Sequence, residues 1–597
     1  MLGKWSVWML SLLLVVLAVA ACQQPTPVVQ MVIEEVRETV EVTVEVTVVV
    51  TREVTRASAG PVQEVVVTAT PVPPRVGGVF VAAAPVDATL LNPVLSVDSV
   101  SATVNRFLYP SLIGQDPFTG VLTPTELARS WEISPDGLVW TFHLRADVLW
   151  SDGEPVDGDD VKFTFDAIAG DRVESPLKAN AQAIASIETP DPQTVVVTFR
   201  EVVCDALREL AVGLLPSHKF AADFSDLATN PQNLAPGVSA GPFLFHAWQA
   251  GEQISLVRNE GYFKGAPYLD GWTLRIIPDR AERLAALPEG SIDSLALSPA
   301  ELTAVALDPS LEVHTYRDDG YAFIALNLAD PTAPQPGLDE SGATVPQTPH
   351  PILGDVRVRQ AIAHALDVDA IIRKAYLGQG YPLAANVLPS IAWAHNRELT
   401  SYAYDPGAAQ ALLSAAGWVD GDGDGIRERE GQALRLALLT NEDNLARIDA
   451  AQLAAQQLAA VGFAVQFEAI PFGQLVNQLF NQQFDMALID WSGLGNDPND
   501  QRLWQRSADA PGSGFNFVSF ANDRVEELLA AGVAAPGCDP AQRAPFYKEI
   551  QRIIHDELPY IFVAGTVGSI GYSRRWQGIE PGPWAFYWNV EKWSLQE

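Results

Sequence analysis

Hydrophobic and polar residues largely alternate in one early part of the chain, and this alternation predicts a β-hairpin. Residues 131–133 and 138–144 flank the turn sequence Pro135-Asp136-Gly137, and turn residues between two such segments are typical of antiparallel strands. In the second strand every other side chain is apolar, and these side chains point to one face: Leu138, Trp140, Phe142 and Leu144.

Elsewhere apolar residues recur at helical spacing, and aspartates precede these stretches. An aspartate at this position accepts hydrogen bonds from free N–H groups of the first helical turn. The predicted helix caps are Asp157 or Asp159, Asp355, Asp405 and Asp539. Strands and helices are mixed throughout without a fixed repeat, which predicts an α/β protein of several lobes.

The N-terminus has the features of an export signal. Lys4 is followed by an almost wholly apolar stretch, residues 7–20, which is shorter than the roughly 20 residues of a membrane-spanning helix. It ends in Val19-Ala20-Ala21-Cys22, which resembles the bacterial lipobox, where a signal peptidase cuts before a cysteine that carries diacylglycerol. Residues 1–21 are predicted to be a lipoprotein signal peptide and Cys22 the lipidated residue. The alternative is an ordinary signal peptide with an incidental cysteine.

Residues 22–76 are predicted to be a spacer that lifts the folded part off the membrane. From Gln23 to Val76 the segment contains neither leucine nor an aromatic residue and repeats valine, threonine and glutamate, so it lacks the large side chains that a core needs. Its period of two suggests strand, valine at every fourth position leaves a helical option, and prolines at its end favour extended chain. A β-rich self-association arm is the alternative.

Chain length, net charge and cysteine count restrict the number of domains and the class of partner. At 597 residues and 64.4 kDa the chain exceeds the roughly 250–300 residues at which a single core stops growing. With 38 basic against 73 acidic residues the net charge is −35, which argues against nucleic acid as a partner. Three cysteines are too few for a disulfide scaffold or a Cys₄ zinc module.

Several motifs follow one another in order along the chain. They are PTELARSWE at 124–132, WTFHLR at 140–145, WSDGEP at 150–155, AGPF at 240–243, RNEGYF at 258–263, VRVRQAI at 356–362 and FDMA at 484–487. Together they resemble the peptide/nickel-type extracytoplasmic solute-binding proteins, family 5 of the ABC-importer binding proteins, which include oligopeptide- and dipeptide-binding proteins. The resemblance extends from Gly77 to the C-terminus.

The resemblance implies a two-lobed α/β periplasmic-binding-protein fold, type II-like, with mixed sheets flanked by helices and the ligand in the interlobe cleft. An extra subdomain is inserted in the first lobe. Carried over by motif, lobe I comprises residues 77–118, 240–318 and 563–597, the insert 119–239, and lobe II 319–562. In such proteins the lobes close on the ligand about a hinge.

The family's cleft residues imply ligand contacts on both lobes. In lobe II they are Trp491, Gly493, Leu494, Asn496 and Asp497, and in lobe I they are Asp98 and Ser99. Oligopeptide-binding relatives have an aspartate at the position of Leu494, where it pairs with the peptide α-amine. Either Asp497 replaces that aspartate, or the solute is not a free-amine peptide. Trp491 is alternatively a core aromatic, and Asp497-Pro498 a turn or cap.

Catalytic motifs are weak in this sequence. Residues 237–241 match the G-x-S-x-G nucleophile elbow around Ser239, but that motif belongs between a strand and a helix. Prolines precede it, and the residues from Pro242 onward resemble the start of a strand. Catalysis at Ser239 is therefore not expected, and no cofactor is expected either.

An acidic run resembles a calcium-binding loop. Oxygen ligands at positions one, three, five, seven and nine of such a loop correspond to Asp420, Asp422, Asp424, Ile426 and Glu428. The twelfth position, where a bidentate glutamate belongs, is Gly431. The two interpretations are a structural calcium site outside solute recognition and a plain Asp-Gly turn.

Cys204 and Cys538 are expected to be two isolated buried thiols. On the boundaries above they lie in the insert and in lobe II, and a bridge between those parts would restrain the hinge.

The function expected from these observations is capture of a peptide by a monomeric protein that a lipid holds at the outer face of the cell membrane. The resemblance implies delivery to the permease of an ABC importer whose ATPase subunits are separate chains. An oligosaccharide binder of the same importer class is the alternative, favoured by 15 tryptophans, and a secreted hydrolase is the rival class.

Overall fold

The computed structural model describes residues 74–596, except residues 97, 179, 203, 205–209, 496 and 583–584. The predicted signal peptide, Cys22 and the spacer up to residue 73 lie outside the described residues. Across the described part of the chain, no helix is long and apolar enough to cross a membrane.

Twenty strands are formed by the described residues. They are β1 (Val79–Ala84), β2 (Gly114–Gln115), β3 (Leu122–Thr123), β4 (Ala128–Ile133), β5 (Val139–Leu144), β6 (Ile184–Asp191), β7 (Thr194–Phe199), β8 (Phe243–Gln249), β9 (Gln253–Arg258), β10 (Gly271–Ile276), β11 (Ser294–Ala296), β12 (Leu311–Leu326), β13 (Glu428–Arg429), β14 (Gln432–Ala433), β15 (Arg435–Asn441), β16 (Ala464–Ile470), β17 (Met486–Trp491), β18 (Tyr560–Ser573), β19 (Trp576–Gln577) and β20 (Ser594–Leu595).

A ten-stranded mixed sheet runs through the molecule in the order β16-β15-β17-β12-β18-β11-β1-β10-β9-β8. The two long strands at its middle are antiparallel and pair from Leu311 with Ser573 to Ala325 with Tyr560. The beginning of β12 lies with the end of β18 beside β11, whereas the end of β12 lies beside β17. The pairing is irregular between Arg317 and Tyr321. We call this part of β12 and β18, where the sheet passes from one half to the other, the crossover.

Helices cover both halves of the sheet. In the described residues they are Ser99–Leu108, Gly158–Ala169, Arg280–Ala286, Pro299–Ala306, Val356–Ala365, Val368–Ala375, Pro406–Ala415, Leu445–Ala459, Phe472–Phe480, Gln501–Trp504, Asp523–Val533 and Pro540–Glu557. A separate four-stranded antiparallel sheet, β4-β5-β7-β6, packs against the helix Gly158–Ala169.

The buried apolar residues form separate cores on the two sides of the crossover. One core, around Phe80 and Phe107, includes the four-stranded sheet and the C-terminal Trp593, and we call the part of the molecule built on it the first lobe. Two further cores, around Ile324 and Phe323, include the helices and strands between β12 and β18, and we call this part the second lobe. The predicted boundaries at 318/319 and 562/563 fall inside β12 and β18, and the division by residue number stays a prediction.

Local predictions from the sequence are confirmed. β4 and β5 form the hairpin, and Trp140, Phe142 and Leu144 are buried. Asp157 caps its helix as half of a capping box with Asp160. The other predicted caps, Asp355, Asp405 and Asp539, also accept hydrogen bonds from the first turns of their helices.

Candidate functional site

Trp491 ends β17 at the crossover and is half-buried. Its ring lies 5.8–5.9 Å, centroid to centroid, from those of Phe323, Phe515 and Phe517. Its Nε1 donates a weak hydrogen bond to the Tyr560 hydroxyl at 3.4 Å. One side of the indole therefore packs in an aromatic cluster of the second lobe. This packing is compatible with both interpretations of Trp491, a core aromatic and a ligand contact.

The loop after Trp491 is anchored to the crossover through Asp319. Gly493 N donates to Asp319 Oδ1 and Leu494 N to the Asp319 carbonyl, both at 3.2 Å. Gly320 lies so close to this loop that a Cβ there would be 2.4 Å from the Trp491 carbonyl oxygen. The loop is thereby held directly against the crossover.

Asp497 forms a bidentate ion pair with Arg543, whose side chain is almost fully buried. Arg543 Nη1 donates to Asp497 Oδ2 at 2.6 Å and Nη2 to Oδ1 at 2.8 Å. Arg543 Nε also donates to the Gly532 carbonyl at 2.7 Å. Because both carboxylate oxygens already face a cation, Asp497 carries little unbalanced charge for a solute ammonium. Its predicted role as replacement for the missing aspartate stays a prediction.

Asp500 is a buried carboxyl beside the same loop that sequence reasoning did not single out. Burial raises the pKa of Asp500 to about 6, although a hydrogen bond from Asn386 Nδ2 at 2.7 Å favours the ionised form. Asp500, Asn386, Leu494 and Asp497 line a cavity of about 10 Å³, which has room for at most about one water. A buried carboxyl with a raised pKa beside this loop is a candidate binding group.

Asp98 and Ser99 lie on the first lobe at the start of the helix Ser99–Leu108. Asp98 is its cap and accepts hydrogen bonds from Ser101 N at 2.8 Å and from the Thr89 hydroxyl. Burial opposes ionisation of Asp98, but these hydrogen bonds outweigh it and lower its pKa. Ser99 is exposed. Among the described contacts none joins these two residues to the loop after Trp491, and Asn496 is outside the described residues.

Cys204 and Cys538 are joined in a disulfide, with their Cα atoms 5.3 Å apart. The expectation of two isolated thiols is therefore wrong. Cys204 follows the four-stranded sheet and is buried in the first lobe, whereas Cys538 precedes the helix Pro540–Glu557 of the second lobe and packs against the first-lobe core. The two lobes touch at this point as well as at the crossover, so a bridge is sterically available. An even number of cysteines beyond Cys22 was the signal for it.

The acidic loop is an exposed turn between Val419 and the strand β13. One carboxylate oxygen from each of Asp420, Asp422 and Asp424 lies within 4.8 Å of the others. Asp420 also accepts backbone hydrogen bonds from Gly423 and Gly425, as a plain Asp-Gly turn would. The spacing of the three carboxylates fits a cation, and the structural calcium site, with Ile426 and Glu428, stays a prediction.

Ser239 lies in a loop and is buried. The strand β8 begins at Phe243, directly after the motif, where a nucleophile elbow needs a helix.

Comparisons with known proteins agree with this architecture. The model of the bacterial extracellular solute-binding proteins, family 5 (middle), matches residues 124–512. The oligopeptide-binding protein AppA of Bacillus subtilis (strain 168) is 26% identical over 531 residues, which are 87% of this chain and 92% of AppA.

Two solved structures show the same fold. That of AppA from Bacillus subtilis in complex with a nonapeptide has a TM-score of 0.63 at 25% identity and covers 88% of this chain and 100% of AppA. That of NikZ from Campylobacter jejuni in complex with Ni(L-His) has a TM-score of 0.65 at 25% identity and covers 86% of this chain and 99% of NikZ.

Proposed function

Because the chain belongs to family 5 of the bacterial extracellular solute-binding proteins, we propose that it captures a peptide between its two lobes and delivers it to the permease of an ABC importer. The observation that carries this proposal is the crossover of β12 and β18, at which Asp319 holds the loop of candidate ligand residues. Closure about such a point changes the contacts of a solute in the cleft and is therefore driven by its binding.

Peptide is the preferred solute class on the strength of the relatives. AppA was solved with a nonapeptide, whereas NikZ was solved with a nickel–histidine complex, so the fold accommodates more than one solute chemistry. An oligosaccharide is the alternative solute, because exposed aromatic planes stack on sugar rings. The family consists of solute-binding proteins and not of enzymes, so the hydrolase alternative is set aside.

The remaining parts of the proposal concern place and partners. The lipobox-like Cys22 supports a lipid anchor at the outer face of the membrane. The predicted spacer allows the folded part to extend from this anchor toward a permease. Separate ATPase subunits would drive transport. The protein itself is proposed to act as a monomer.

A thermal-shift screen tests the solute class. The panel contains short peptides, cello- and xylo-oligosaccharides and nickel–histidine. A ligand of the native state at about 100 times its Kd stabilises the fold by about 3 kcal/mol, so at least one peptide is expected to raise the melting temperature by several degrees. An oligosaccharide shift alone would establish the alternative, and no shift with any compound would contradict the proposal.

Two variants of Trp491 separate its two interpretations in the same assay. Trp491→Ala is expected to abolish the peptide shift and, because three aromatic rings pack on the indole, to lower the unliganded melting temperature as well. Trp491→Phe keeps an aromatic plane and is the control. If Trp491→Ala retains the full shift, the indole only packs the lobe.

A further inference from the structure

A cavity formed by the described residues lies wholly in the first lobe. It has a volume of about 840 Å³, and every residue that lines it precedes residue 265 or follows residue 584. Its walls come from the end of the helix Ser99–Leu108, the loop that follows it, residues 262–264 and residues 585–592. No residue of the wall therefore belongs to the second lobe.

The lining of the cavity has one more basic than acidic residue, although the protein as a whole is strongly acidic. Its lining contains four basic residues, Arg106, Arg145, Lys264 and Lys592, and three acidic ones, Asp116, Glu126 and Glu591. The whole chain, by contrast, has a net charge of −35. An excess of cations in this one place favours an anionic occupant.

Three of the four cations have protein partners. Lys264 forms an ion pair with Glu126. Arg145 Nε donates to the Glu126 carbonyl at 3.0 Å. Lys592 Nζ lies 5.7 Å from the ring centroid of Trp588.

Arg106 has no such partner. Within the described residues its guanidinium makes no hydrogen bond or ion pair, and the groups that influence it electrostatically are Tyr587 and Glu126. Arg106 is an exposed residue that lines the cavity. Desolvation by the surrounding protein lowers its pKa, but an arginine in a protein stays protonated. The cavity wall therefore carries a charged guanidinium for which the described residues supply no hydrogen-bond acceptor.

Apolar and aromatic groups form much of the remaining wall. Phe118 is half-exposed and meets Trp588 edge to face, with ring centroids 5.8 Å apart. Ile113, Tyr262 and Tyr587 also belong to this part of the lining. A volume of this size lies within the range of small-molecule sites, roughly 300–1,000 Å³.

We propose that this cavity binds the carboxylate of a small solute with an apolar body, and that Arg106 pairs with the carboxylate through two parallel N–H donors. A planar guanidinium matches a carboxylate in this way. A short peptide presents such a carboxylate at its free C-terminus, and a non-peptide organic acid presents the same chemistry.

The test compares two synthetic tetrapeptide mixtures that differ only in a free or an amidated C-terminus, with phenylacetate as the non-peptide acid. Retention by the full-length protein is measured by mass spectrometry after gel filtration. The wild type is expected to retain the acids at least about tenfold better than the amides, because a charge-assisted pair to one end of the peptide is lost. Arg106→Ala should lose this preference and Arg106→Lys should keep part of it.

Arg129→Ala is the matched control, since Arg129 is an exposed arginine outside the cavity and its loss should change nothing. Equal retention of acids and amides by the wild type and by Arg106→Ala would overturn the inference and leave the peptide function standing. Phenylacetate retained through Arg106 while no peptide is retained would support the cavity and overturn the peptide function. Retention of neither kind of acid would overturn both.

Discussion

Replacing Cys204 and Cys538 together by alanine is expected to lower the free energy of unfolding by about 5 kcal/mol. The bridge joins residues 334 positions apart, and a cross-link that closes so long a loop removes much entropy from the unfolded chain. Urea unfolding of the oxidised wild type and of the double variant measures the difference. Each single alanine variant should be as unstable as the double one, because either substitution removes the same bond.

The same bond is expected to limit the separation of the lobes. Without a solute, small-angle scattering should give a larger radius of gyration for the double alanine variant, and for the wild type reduced by a dithiol, than for the oxidised wild type. The dithiol gives two electrons and two protons to the bridge and is itself oxidised to a disulfide. Alkylation of both cysteines in the unfolded, unreduced protein would contradict the bridge, and identical scattering curves would contradict its effect on the lobes.

Arg543→Met is expected to lower the free energy of unfolding by about 3–5 kcal/mol. The Arg543 and Asp497 side chains are only 3% and 14% exposed, so the substitution leaves a shielded carboxylate without its cation, which is the costly way to break such a pair. Thermal and urea unfolding measure the loss. Adding Asp497→Asn should recover part of it, because the uncompensated charge is then removed.

Arg524→Ala is the matched control for this prediction. Arg524 also pairs with two carboxylates, those of Glu527 and Glu549, but its side chain is 52% exposed. Exposed pairs contribute about 0–1 kcal/mol, so this variant should unfold almost as the wild type does. A loss in Arg543→Met no larger than that in Arg524→Ala would contradict the structural importance of the Asp497 pair.

The elements that could be predicted from the sequence are those fixed by neighbouring residues. The hairpin of β4 and β5 follows from alternation over a dozen residues and a turn sequence between them. Asp157 caps a helix through atoms two and three residues away. The family motifs add the two-lobed architecture, which no local pattern contains.

The features that could not be predicted depend on residues far apart in the chain. The sequence predicts Asp497 as a solute ligand. No local pattern shows that Arg543, 46 residues later in the chain, pairs with both of its carboxylate oxygens. The sequence predicts no disulfide, because a bridge between the lobes would restrain the hinge. In the structure, the contact between the lobes at Cys538 brings the two sulfurs together. Within the described residues Arg106 has no hydrogen-bond or ion-pair partner, and only the folded lobe places it at the wall of a cavity.

Native mass spectrometry of the oxidised, full-length protein with a tetrapeptide mixture tests most directly whether it binds a solute without altering it. The account predicts one peptide per protein molecule, saturation as the peptide concentration rises, and release of peptides with unchanged masses after denaturation. Recovery of cleaved peptides, or no retained peptide at any concentration, would contradict it.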